Sequence, residues 1–111
     1  MSDQIPTCDA CRPDAPKVTD AQAQLFLQQL DGWSISDYNH IPVLVKRYTF
    51  KDFKQALHFT NEVGCIAEEV NHHPEIVTEW GGVTVRWWTH KINGLHEMDF
   101  AMAKRCDSLA A

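Results

Sequence analysis

The chain lacks any apolar run approaching the roughly 18 residues of a membrane span. It also lacks an excess of positive charge. Ten Lys and Arg stand against fifteen Asp and Glu, for a net charge of −5. A nucleic-acid binder needs a basic face, so that class is disfavoured and no nucleic acid is expected as partner. Cysteine is sparse: four among 111 residues, with Cys8 and Cys11 the one close pair. A structural zinc site wants a second pair at similar spacing, and none exists. A redox C-x-x-C should open a helix after a strand, whereas this one sits in a Pro- and Asp-rich segment. The zinc-protease spacing H-E-x-x-H is absent, and adjacent histidines do not easily chelate one ion, so no metal is expected. Met1-Ser2-Asp3-Gln4-Ile5-Pro6 has neither the basic nor the apolar region of a signal peptide. The expectation is a cytoplasmic, membrane-free protein with reduced thiols.

What is present is enough for one compact domain. The hydrophobic share is 44%, which permits a true core and argues against disorder. Residues 1–17, with Pro6, Pro13 and Pro16, read as an irregular tail, and 18–111 as a single domain. Thr19 and Gln22 match a capping box, which starts a first helix near Asp20 with Ala21, Leu25, Phe26 and Leu30 at helical spacing. Gly32 suits its stop. Trp33-Ser34-Ile35 opens a short strand, Asp37 to His40 a turn, and Val43 to Phe50 a second strand. Asp52 caps a long helix whose apolar stripe is Phe53, Ala56, Leu57, Thr60, Val63, Gly64, Ala67 and Val70. Cys65, within that helix, reads as a small core residue. Pro74 biases His73 away from the helical region, so this helix should end near His72. Ile76 to Trp80 and Val83 to Thr89 are strands joined at Gly81-Gly82, and a last helix runs from about Glu97 to Ala110. Two hairpins among three helices predict an α+β fold: a four-stranded antiparallel sheet with three helices packed on one face.

The chemistry concentrates in Glu68-Glu69-Val70-Asn71-His72-His73-Pro74. Histidine exchanges protons near neutral pH, and a third imidazole, His90, follows Trp80 and Trp88. Such a set suits proton transfer on a planar, uncharged substrate. Glu68 and His72 are four apart, so a helix would place them on one face, where the carboxylate favours the imidazolium. The helix C-terminus pushes the same way. The competing reading is a helix end capped by a histidine. His40, His58 and His96 read as turn, helix surface and helix entry, with no catalytic role.

The pattern resembles the pterin-4a-carbinolamine dehydratase family. Glu68, His72-His73-Pro74, Trp80, His90 and Asp99 keep every family interval, and Gly32-Trp33 and Phe50-Lys51-Asp52-Phe53 look like family segments. The resemblance covers about residues 19 to 110. It departs at Met98, where animal members carry arginine, and at Asn71, where they have aspartate or asparagine. It implies loss of water from a 4a-hydroxytetrahydropterin to give quinonoid dihydropterin, which recycles the cofactor of aromatic amino-acid hydroxylases. No metal or organic cofactor is implied. Carried onto this chain, it makes His72 and His90 the proton-transfer groups, with His73 binding or assisting as base. Glu68 would tune His72, Trp33 would wall the pocket, and Asp99 would orient His90 or the last helix. Asn71, Trp88 and Thr89 join the expected substrate-binding set. A homodimer or homotetramer is implied as well. The rival from another class is a non-catalytic oligomeric module that stabilises a partner protein.

Overall fold

A computed structural model describes residues 15–111; Cys8 and Cys11, and most of the expected tail, lie outside the described residues. The elements run α1 (Asp20–Gln28), β1 (Ser34–Tyr38), β2 (Ile41–Thr49), α2 (Phe53–Val70), β3 (Glu75–Glu79), β4 (Gly82–Trp87), a 3₁₀ turn (His90–Ile92) and α3 (Glu97–Ala110). The strands form one antiparallel sheet in the order β1-β2-β4-β3. The expected α+β class and helix–strand order hold.

Local chemistry explains the boundaries. The Thr19–Gln22 capping box forms in both directions, 2.9 and 3.1 Å, and starts α1. Asp52 accepts from the Gln55 amide at 2.9 Å and starts α2. The β1–β2 hairpin turns at Asn39 and His40, both with positive φ, the backbone that a right-twisted two-residue hairpin requires. β1 therefore runs on through Tyr38, further than the expected turn at Asp37 allowed. The second hairpin also differs from expectation. Glu79 pairs with Gly82, so the two turn residues are Trp80 and Gly81, and Gly81 alone takes positive φ, 76°. Gly82 belongs to the strand, with its missing side chain filled by Arg47; a Cβ there would lie 2.2 Å from the guanidinium.

Strand alternation divides the sheet into two faces. Leu44, Tyr48, Val83, Val85 and Trp87 point toward the helices and join the core with Phe59, Val63, Phe100, Met102 and Cys106. Phe26 of α1 meets Phe100 of α3 with ring centroids 5.2 Å apart. The buried stripe of α2 is Ala56, Phe59, Val63, Ile66, Ala67 and Val70. Phe53 and Leu57, counted in the expected stripe, are exposed at 45% and 43%. Cys65 is exposed too, which corrects its reading as a core residue; among the described residues the buried thiol is Cys106. Ala56, Val63, Ala67 and Val70 belong to both sets, and Phe59 and Ile66 complete the core face because it is rotated by a fraction of a turn toward them.

The other sheet face carries Tyr38, Val43, Val45, Thr84, Arg86 and Trp88. Val43 points that way and is wholly buried, so one end of the outer face is covered. Both faces meet at the Trp87-Trp88 dipeptide, and the candidate site is built around it.

Candidate functional site

The site begins where α2 stops. Asn71 adopts the left-handed conformation, φ 54° and ψ 43°, and its N–H returns to the carbonyls of Ala67 and Glu68. Asparagine tolerates that conformation better than most residues. The helix therefore closes at Val70, and His72 lies just beyond the cap, its N–H donating back to the Ala67 carbonyl at 3.1 Å.

This reversal sends His72 inward. Its Nε2 lies 2.7 Å from Asp99 Oδ1, and its ring stacks on Trp87 at 5.6 Å and 14°. His72 is 4% exposed and Asp99 0%. The Thr89 hydroxyl and the His96 amide donate to Asp99 Oδ2 at 2.8 and 2.9 Å. Asp99 is thus a buried carboxylate surrounded by three donors, the arrangement that makes a buried charge tolerable. It acts as acceptor, so His72 holds its proton on Nε2. Nδ1 is the other ring nitrogen, turned away from that carboxylate.

His73 turns outward and pairs with Glu68, both well exposed. His90 is exposed at the start of the 3₁₀ turn. Its Nε2 lies 3.2 Å from the His73 carbonyl, and its ring stacks on Trp88 at 4.5 Å and 25°. Consecutive tryptophans on opposite sheet faces thus carry one histidine each. The backbone bond joins the His90 ring to the histidine pair.

Three expectations change. Glu68 partners His73, not His72, because the helix ends before His72 and the one-turn geometry no longer applies. Asp99 orients His72 rather than His90, although it does close the α3 capping box with His96 as expected for the last helix. Trp33 does not line the histidine group. Its indole N–H donates to both Asp107 carboxylate oxygens, 3.1 and 3.2 Å, and its ring meets Tyr48 edge-on. Asp107 is eight residues beyond Asp99 on α3, roughly 12 Å along the axis. Trp80 is equally remote, 73% exposed at the turn end of the β3–β4 hairpin. Asn71 supplies the cap, and Thr89 the hydroxyl on Asp99. Trp87 is core, as strand alternation requires, and its inner face carries His72. The sequence signal for that contact was a histidine two residues beyond the helix end, free to fold back onto the strand.

The polar set around Asp107 is a second centre. Lys46 donates to it at 2.9 Å, and the Tyr48 hydroxyl donates as well. Burial first, then the hydrogen bond to Asp107, raises Tyr48 far above the ordinary phenol range. Burial pushes the neighbouring Cys106 thiol up to about 11 against a weaker opposing pull from the Trp87 indole. These groups hold protons tightly and suit structure better than proton exchange. Among the described residues no three His, Cys, Asp or Glu side chains are grouped as metal ligands.

Residues 16–109 match the family described as Pterin 4 alpha carbinolamine dehydratase. The chain belongs to this family. It is 57% identical over 109 residues to a Hahella chejuensis protein, covering 98% of this chain and 97% of the relative. It is 52% identical over 103 residues to one from Marinobacter nauticus, with 93% of each covered. Both carry the name "Putative pterin-4-alpha-carbinolamine dehydratase". The fold matches the crystal structure of a transcriptional coactivator/pterin dehydratase from Brucella melitensis, with TM-score 0.78 and 30% identity over 86% of this chain and 100% of that one. It also matches a pterin dehydratase-like protein identified as a RuBisCO assembly factor in the alpha-carboxysome, with TM-score 0.62 and 27% identity over 73% of this chain and 92% of that one. No helix among the described residues is long and apolar enough to cross a membrane.

Proposed function

We propose that this protein dehydrates a pterin-4a-carbinolamine to the quinonoid dihydropterin by histidine acid–base catalysis. The observation that carries this reading is the pair of differently held imidazoles on Trp87 and Trp88. The reaction moves two protons. One must reach the leaving hydroxyl so that the C4a–O bond breaks as water. The other leaves N5, whose electron pair forms the new C=N bond. His90 is the acid in this scheme: it is exposed, and its ring is held against the face of Trp88. His72 is the base, because Asp99 fixes the tautomer whose Nδ1 accepts. His73, beside Glu68, binds substrate or returns the proton. Each well-placed acid or base is worth about 10² to 10⁴ in rate. The chemistry calls for no cofactor.

The family assignment extends this reading to recycling of the pterin of an aromatic amino-acid hydroxylase, and to a homodimer or homotetramer in the cytoplasm. The test is stopped-flow decay of a freshly made carbinolamine. Acceleration over buffer at micromolar protein supports the proposal, and none, with the fold intact by circular dichroism, contradicts it. A second reading, an oligomeric module that stabilises a partner protein, draws on the RuBisCO assembly factor sharing this fold. The intact set of three histidines favours the enzyme.

A further inference from the structure

The Tyr38–Glu75–Arg86 cluster on the outer sheet face has no part in the scheme above, yet it is built with care. Glu75 opens β3 and pairs in register with Arg86 of β4. Arg86 Nη1 donates to Glu75 Oε1 at 2.7 Å. The Tyr38 hydroxyl, from the last residue of β1, donates to Glu75 Oε2 at 2.6 Å. The triangle closes with the Arg86 guanidinium 4.9 Å over the Tyr38 ring. Three strands are tied by one carboxylate that uses both oxygens, and the ring of Tyr38 is clamped between its hydroxyl bond and the cation on its face. The Glu75 hydrogen bond raises the Tyr38 pKa, with burial and the carboxylate charge adding and Arg86 opposing. The hydroxyl therefore stays a donor well into alkaline solution.

The clamped ring bears on the site. Tyr38 meets Trp88 edge-on, centroids 5.9 Å apart at 66°. Trp88 is the platform under His90. Val43, one step beyond the Leu44–Trp87 pair, shares this face and is wholly buried. His90 itself sits on a three-residue turn with one ring hydrogen bond, to the His73 carbonyl. A single 3.2 Å bond leaves a ring free to pivot, so the stack decides its plane.

We infer that Tyr38 and Glu75 are positioning residues for His90, acting through Trp88. Arg86 holds the Glu75 carboxylate for that task. The inference rests on the dehydratase reading only for its consequence in rate; the geometric coupling stands apart from it. Neither Tyr38 nor Glu75 touches the histidines. Each fixes where the proton-carrying ring points when substrate arrives.

The test uses the full chain and two readouts. In NMR spectra, the His90 ring protons of the wild type should be shifted upfield by the Trp88 ring current. Tyr38→Phe and Glu75→Gln should move them toward their random-coil positions while the His72 signals stay in place. In the carbinolamine assay the same variants should lose about three- to tenfold in kcat with KM little changed, as expected of misorientation rather than lost binding. Trp88→Phe, which keeps a flat platform, should retain more of the shift and of kcat than Trp88→Leu. That pair keeps the test decisive if Glu75→Gln fails to fold. Moved shifts in a protein whose wild type shows no dehydration would uphold the positioning and remove the dehydratase reading. Active enzyme with unmoved His90 shifts and unchanged kcat in both conservative variants would overturn the positioning.

Discussion

His72 and His90 rest on adjacent tryptophans and live in different solvents. His72 is sealed against Trp87 and tied to a carboxylate with no exposed surface. His90 lies in water on Trp88, held by one backbone carbonyl. Burial makes the first histidine a fixed group with one nitrogen committed, and exposure makes the second available and dependent on a platform. Changes near His72 should therefore cost stability and rate together, whereas changes at His90 should cost rate alone.

The largest effect is expected at Asp99. Asp99→Ala leaves three buried donors without their acceptor and should cost about 3–5 kcal/mol, at about 1–3 kcal/mol for each stranded group. Urea unfolding measures it. A loss below about 1 kcal/mol, the range of exposed pairs, would erase the contrast between the two histidines. Next is His90→Ala. Its rate should fall by about 10² to 10⁴, with stability within about 0.5 kcal/mol of wild type, as for an exposed side chain.

A third expectation concerns the Asp107 end of α3, whose tightly held protons suit it to a structural part. Cys106 has its thiol pushed up to about 11 from 9.0. The unfolded chain then releases its proton first, so stability falls as pH rises from about 9 toward about 11, by up to about 1.4 kcal/mol per unit. Tyr48, also raised, steepens the fall above pH 10. Urea midpoints measured across this range in wild type and Cys106→Ala should differ in slope. Equal slopes would mean that the thiol is not held neutral by the fold. The smallest effect belongs to Glu68→Gln. The Glu68–His73 pair is exposed, so its loss should change stability by less than about 1 kcal/mol. The His72 titration, followed by NMR, should stay where it was; a clear shift there would restore Glu68 as its partner.

That last point shows what could and could not be read from the residues alone. Caps and punctuation were legible: the Thr19–Gln22 box, the Asp52 cap, Pro74 after the histidines and the span of α3 follow from short-range chemistry. The partners of the histidines were not legible. The i,i+4 rule holds only inside a helix, and Asn71 reverses the chain one residue before His72. From there tertiary packing chooses Asp99, 27 positions away, over a carboxylate four positions away. Trp33 and Trp80 illustrate the same limit. A flat aromatic near a motif in sequence can lie at the other end of a strand or helix, about 3.3 or 1.5 Å per residue away.

The most direct measurement is single-turnover stopped-flow dehydration of a pterin-4a-carbinolamine by wild type, His72→Ala and His90→Ala, each checked for folding. Wild type should show rapid decay and both variants a loss of about 10² or more, accompanied by destabilisation only in His72→Ala. A wild type no faster than buffer, or a folded His90→Ala at full rate, would contradict the scheme.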